Sequence, residues 1–205
     1  MPRPQLIRCD RHPYHITARC NNKEFFPLPL GEMWEIFMSH LYFIHREFGV
    51  CIHSFVLMGN HFHLLCHTPQ ANIDEAMMSF MRRTAQEVNR RSMSVNHLWG
   101  QRYKWSVIQA PPYYYQVYKY IYQNPMRAKV VKKVELYPFS TLIRNTPFPL
   151  HSFLPFAFAG KQGEIVWLND IIHDDDQMAI RSGLKKGIFE VNRNYKNHLK
   201  IKIPD

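Results

Sequence analysis

The stretch that most limits what this chain can fold into is Cys51 to His67, where two β-forming runs flank a two-residue turn. The first run is Ile52-His-Ser-Phe-Val-Leu-Met58 and the second is His61-Phe-His-Leu-Leu-Cys-His67. Gly59 and Asn60 supply turn residues between them, and Pro69 ends the second run because it cannot donate to a ladder. Segments of helical period stand on both sides of this hairpin. From Gly31 to Phe48, apolar residues recur at Trp34, Phe37, Met38, Leu41, Ile44 and Phe48, and Gly49 is suited to stop a helix. From Ile73 to Asn89, the positions Ile73, Met77, Phe80, Met81, Thr84 and Val88 share one side. Arg82, Arg83, Arg90 and Arg91 there read as a solvated face. Tyr14–Arg19 and Tyr103–Gln109 read as further strands, and Asn21-Asn22 as a loop. A third helix covers Tyr113 to Asn124 and is expected to end there, because Pro125 disfavours helical geometry at the residue before it.

The order strand, helix, strand, strand, helix, strand, helix predicts an α+β sandwich with helices on a mainly antiparallel sheet. Pro138, Pro147 and Pro149 mark a boundary between residues 1–145 and a C-terminal, mostly helical extension over 146–205 that packs on the first part. In that extension, Asp174-Asp-Asp opens a helix reaching Gly183, since acids favour a helix start. Its tail is basic, with Lys185, Lys186, Arg193, Lys196, Lys200 and Lys202.

Charge narrows the partners. Lys and Arg number 26 against 16 acids, a net charge of +10, which favours a polyanion, nucleic acid first and an anionic membrane surface second. No apolar run reaches the ~18 residues of a spanning helix. Met1-Pro-Arg-Pro-Gln-Leu-Ile-Arg lacks the apolar core of a secretory signal. Cys9, Cys20, Cys51 and Cys66 form no Cys-x-x-Cys pair, which argues against a zinc ribbon and fits an intracellular protein.

Three features could carry chemistry. Side chains alternate across a strand, so His61 and His63 share a face and can meet one divalent cation while Phe62 points into the opposite layer. Alone, His-x-His is weak, and two half-buried histidines without a ligand are the commoner arrangement. Tyr120 and Asn124 lie four apart and share a helical face, where an amide oxygen can join a hard cation's ligands. The neighbouring Tyr113, Tyr114, Tyr115, Tyr118 and Tyr122 show that most of these tyrosines build a core or stack on bases. Finally, Arg102, Lys104 and Trp105 interleave cations with flat rings, as single-strand binders do, although a strand with one charged face reads the same way.

In this order the features resemble the REP-associated tyrosine transposases, within the single-tyrosine, IS200-like branch of the His-hydrophobic-His nucleases. The matching stretches are Tyr14-His-Ile-Thr-Ala-Arg-Cys-Asn-Asn22, Val56-Leu-Met-Gly-Asn-His-Phe-His-Leu-Leu65, Gly100-Gln-Arg-Tyr-Lys104 and Tyr120-Ile-Tyr-Gln-Asn-Pro-Met-Arg-Ala-Lys-Val-Val131. They span about residues 1–140. Cys20 departs from the family's usual Arg-Gly-Asn, where glycine stands.

The resemblance implies a ferredoxin-like, RRM-like catalytic domain over 1–145. It implies Tyr120 as nucleophile, with Tyr122 as its rival, and His61, His63 and Asn124 around Mg²⁺ or Mn²⁺. Arg19, Asn21, Arg102, Lys104, Trp105 and Arg127 are the expected DNA contacts. The implied activity is transposition: cleavage and rejoining of single-stranded hairpin DNA of the repetitive extragenic palindromic (REP) type, through a 5′-phosphotyrosine. The implied setting is the cytoplasm of a bacterium, near the nucleoid, as a monomer or a homodimer. Two rivals stand beside it, a catalytically silent single-strand binder on the same fold and a phosphodiesterase that uses water.

Overall fold

The structure, a computed structural model, describes residues 5–191 apart from 96, 156, 157 and 159. Arg193, Lys196, Lys200 and Lys202 of the expected basic tail lie outside the described residues. The chain runs β1 (Tyr14–Arg19), α1 (Leu30–Phe48), β2 (Cys51–Leu57), β3 (His61–His67), α2 (Ile73–Ser92), β4 (Lys104–Val107), α3 (Pro111–Arg127), α4 (Gly160–Asn169) and α5 (Asp174–Gly183). The strands form one sheet in the order β2-β3-β1-β4, with every pairing antiparallel. Two β-α-β halves thus interleave, which is the ferredoxin-like arrangement.

Strand parity decides what each face carries. Tyr14, Ile16 and Ala18 of β1, with Phe62, Leu64 and Cys66 of β3, join a core with Phe37 and Leu41 of α1 and Met77 and Phe80 of α2. The intervening residues face the other way, and there Val56 and Leu65 join a second core with α3, α4 and α5. The register sets Thr17 opposite His63 and Arg19 opposite His61. Met58 N–H donates to His61 C=O at 2.8 Å and closes the Gly59-Asn60 turn. Gly49 ends α1 at φ 63, a backbone conformation that a side chain would strain. On α2, Arg90 and Arg91 pair with Glu87 at 2.8 and 2.6 Å, and Arg83 lies over the Phe43 ring, so this face makes its own contacts.

One expected boundary is corrected. Helix α3 does not end at Asn124; it continues through Pro125 to Arg127. A proline has no N–H, so it leaves the carbonyl of Ile121 without its usual partner. The Asn124 side chain fills that role, its Nδ2 donating to Ile121 C=O at 3.2 Å and to Tyr120 C=O at 2.9 Å.

The extension is bolted onto α3. Gln123 Nε2 donates to Leu168 C=O and Asp170 C=O, both at 2.7 Å, and its Oε1 accepts from Ile172 N–H at 3.2 Å. Lys119 pairs with Asp170 at 3.0 Å, and Tyr118 donates to Glu164 at 2.6 Å. Farther on, Val107 N–H donates to Gly187 C=O and Phe189 N–H to Val107 C=O, each at 2.9 Å, so the segment after α5 covers the outer edge of β4. No helix among the described residues is long and apolar enough to cross a membrane.

Candidate active site

Because α3 buries Tyr114, Val117 and Ile121 in the second core, it lies over the sheet face that carries the histidines. Tyr120 and Asn124, one turn apart, then meet His61 and His63 in a cavity of about 940 Å³. The Tyr120 ring stands perpendicular to that of His63, with centroids 5.9 Å apart, and the His61 and His63 rings are 5.1 Å apart. Six cations line the same cavity: Arg19, Lys23, Arg102, Lys104, Arg127 and Arg181. Among the described residues no carboxylate lines it, so its field favours an anion.

The imidazoles are held in the form that a cation needs. Asn60 donates from Nδ2 to Lys23 C=O at 2.7 Å, which turns its Oδ1 toward His61 Nδ1, also at 2.7 Å. An amide oxygen can only accept, so His61 carries its proton on Nδ1 and leaves Nε2 as a lone pair. His63 Nδ1 lies 2.9 Å from Nε2 of the buried His15, which leaves His63 Nε2 as the available atom. Burial, with Arg19 adding to it, pushes His61 down to about 4. Burial, and then the neighbouring His15 and His61, holds His63 well below its ordinary value. Both are therefore neutral near pH 7. The Asn124 amide spends its Nδ2 on the helix and keeps Oδ1 as an acceptor. Two neutral imidazoles and an amide oxygen fit one divalent ion and leave positions for oxygens of a ligand. Among the described residues, no group of three or more His, Cys, Asp or Glu gathers to hold a metal.

The two candidate phenols differ sharply. Tyr122 is buried in the second core, with its hydroxyl 2.9 Å from Thr141 Oγ1, away from the cavity. Tyr120 lines the cavity, and no group among the described residues hydrogen-bonds its hydroxyl. Burial raises the Tyr120 phenol above its ordinary value, opposed by Arg181, Arg127 and Arg19 in that order.

Of the expected DNA contacts, Arg19, Asn21, Arg102, Lys104 and Arg127 line the cavity. Trp105 does not. It pairs with Ile16 in register and packs against the first core, because strand parity sends it to the face opposite Lys104. Cys20 sits at φ -54, which any residue adopts, so the departure from glycine distorts nothing there. The glycine that matters is Gly100, where a Cβ would come within 3.1 Å of Asn21 Cα and 3.2 Å of Cys20 O. Its bare backbone lets this segment pass close against Cys20 and Asn21.

Sequence reasoning missed five residues: His15, Lys23, Asn60, Gln177 and Arg181. Asn60 read as a turn residue, and His15 as part of a strand whose partner was unknown. Gln177 and Arg181 come from α5, and nothing local marks them as cavity residues.

A ferredoxin-like sandwich with an anion-attracting cavity, walled by paired imidazoles and a phenol, defines a protein suited to the phosphate backbone of nucleic acid. The family model described as "Transposase IS200 like" matches residues 9–124, more than half of the chain, and the chain belongs to that family: it is a transposase. Among solved structures, the chain is similar to a REP-associated tyrosine transposase bound to a REP hairpin, with TM-score 0.61 and 17% identity over 77% of this chain and 96% of that one. At that identity the likeness speaks for the fold alone. A candidate transposase from Deinococcus radiodurans R1 aligns at TM-score 0.40 and 16% identity, over 59% of this chain and 94% of that one, too low to add to the argument. No curated protein matches the chain.

Proposed function

We propose that this transposase cleaves and rejoins single-stranded DNA at REP-type hairpins, with Tyr120 as nucleophile and a divalent ion, Mg²⁺ or Mn²⁺, held by His61, His63 and Asn124. The observation that carries this reading is the shared cavity of Tyr120 and the two histidines, the Tyr120 ring 5.9 Å from that of His63. The fold shared with a hairpin-bound transposase supports the choice of DNA.

The ion, when bound, would polarise a phosphoryl oxygen and offset the charge that builds on it. The Tyr120 oxygen attacks phosphorus, and the bond from phosphorus to O3′ breaks. O3′ takes up one proton from solvent as it leaves as a hydroxyl, and the phenol gives up one to solvent, so the step is proton-neutral. The 5′ side stays on the protein as a phosphotyrosine. Because one phosphorus–oxygen bond forms for each one lost, a second 3′-hydroxyl can reverse the step and reseal a strand without ATP. A phenol above its usual pKa is a poor nucleophile, so the arginines that oppose the effect of burial contribute to activation. Arg19, Asn21, Arg102, Lys104 and Arg127 hold the strand's phosphates and bases. Residues 1–145 form the catalytic part, 146–205 the extension, and a monomer suffices because phenol and imidazoles come from one chain.

The test is a labelled hairpin oligonucleotide incubated with Mn²⁺ and examined for a covalent protein–DNA adduct. Wild type forms the adduct and Tyr120→Phe does not. His61→Ala abolishes cleavage and keeps most DNA binding. An adduct at wild-type level in Tyr120→Phe removes the nucleophile assignment, and free 5′-phosphate ends without an adduct indicate attack by water.

A further inference from the structure

We propose that α5 brings a phosphate-binding residue, Arg181, into the reaction centre, where it and Arg127 hold the scissile phosphodiester against Tyr120. The inference rests on the reaction proposed above and gives the C-terminal extension a part in it. Arg181 lies outside residues 9–124, the part of the chain that the family model matches.

Geometry comes first. Gln177 and Arg181 are four residues apart on α5, so they share a face, and both line the Tyr120 cavity. Ile180, with no exposed surface, and Leu184 belong to the second core. One side of α5 is therefore anchored while the Gln177–Arg181 side meets the cavity. The anchor is stiff. Gln123 makes one hydrogen bond to Leu168 in α4 and two to the linker before α5, and Phe189 beyond it is bridged to β4. At Gly183 an added Cβ would come within 2.9 Å of Phe189. The helix is held close to its follow-on segment, which limits how Arg181 can drift.

Charge comes second. Arg181 is exposed and makes no ion pair among the described residues, so none of them neutralises its guanidinium. Arg127 Nη1 is buried and has no hydrogen-bond partner. A buried charged donor without a partner is costly, and an incoming anion relieves that cost. Arg181 and Arg127 both line the cavity that holds Tyr120 and His63. Asp174 acts on Arg127 but is not paired with it. Two guanidiniums beside a phenol match a phosphodiester, whose two unbridged oxygens accept forked donors.

The test uses the full chain and a single-stranded DNA hairpin. Binding is measured against NaCl in the Tyr120→Phe background, and adduct formation with Mn²⁺ in the Tyr120 background. Arg181→Ala should flatten the slope of log affinity against log salt by about one phosphate contact. It should also slow adduct formation about 10- to 100-fold. Arg181→Lys should keep the slope, because the charge remains, yet stay slow, because the fork is lost. Lys185→Ala, an exposed cation just past α5, should change neither. Unchanged slope and rate in Arg181→Ala overturn the proposal, as does an equal slope change in Lys185→Ala. If wild type forms no adduct, the reaction proposed above fails, and the slope alone decides whether Arg181 binds phosphate.

Discussion

Asn60 shows how one turn residue can set the chemistry of its neighbour. Its amide is oriented by Lys23 C=O and in turn fixes the proton on His61 Nδ1. Asn60→Leu removes that acceptor, so His61 populates both tautomers and Mn²⁺ affinity should fall about 10- to 100-fold. Calorimetric titration of the metal-free protein measures this. Asn60→Asp, which keeps an acceptor, should recover most of the loss, and equal affinity in wild type and Asn60→Leu would show that the contact does not hold the ligand. At this scale the sequence was legible where a short period governs. Strand parity put His61 and His63 together, and a single helical turn joined Tyr120 to Asn124. It was illegible where a pairing register decides. His15 reaches His63 only because β1 lies beside β3, and no local pattern in Tyr14–Arg19 says so.

At the scale of elements, the end of α3 carries a second lesson. A proline rule placed its end at Asn124, yet the helix runs on to Arg127, because the Asn124 side chain supplies the donor that Pro125 lacks. Local propensity cannot register such a repair, which depends on where one amide points. It predicts a coupling. Asn124→Ala should destabilise the protein by about 1 kcal/mol, the ordinary net worth of a hydrogen bond. In a Pro125→Ala background the backbone N–H returns and serves Ile121 C=O itself, so the same substitution should cost measurably less. Urea denaturation of the four proteins in a double-mutant cycle reads the difference. Additive effects would mean that the amide does not stand in for the missing N–H. The strands, α1 and α2 were legible because their apolar periods are strong. Helix α4 was not placed from its sequence, and only Leu168 is buried along it.

At the scale of the molecule, the sheet separates two cores of different character. The one under α1 and α2 is apolar. The other face carries His15, His53 and His63, all buried, so the fold encloses imidazoles that water would readily protonate. His53 makes the consequence testable away from the proposed metal ligands. It is 3% exposed, stacked on Phe153, with Nδ1 3.2 Å from the Tyr114 hydroxyl. Burial, and then His67 and His151, pushes it down to about 3 from an ordinary 6.5. The unfolded chain therefore binds a proton at pH values where the folded chain does not, and stability rises with pH through that window. The contribution is complete above about pH 7.5, falls as pH drops through the unfolded value near 6.5, and levels off below the folded value near 3. By pH 5 the loss is roughly 2 kcal/mol from this residue. His53→Phe keeps a flat ring against Phe153, loses the Tyr114 hydrogen bond, and lowers Tm at pH 7.5. Between pH 7.5 and pH 5, however, its Tm should fall less than that of wild type. If both fall in parallel, His53 takes up its proton equally in the folded and unfolded chains, and the acid sensitivity of this core must come from its other histidines.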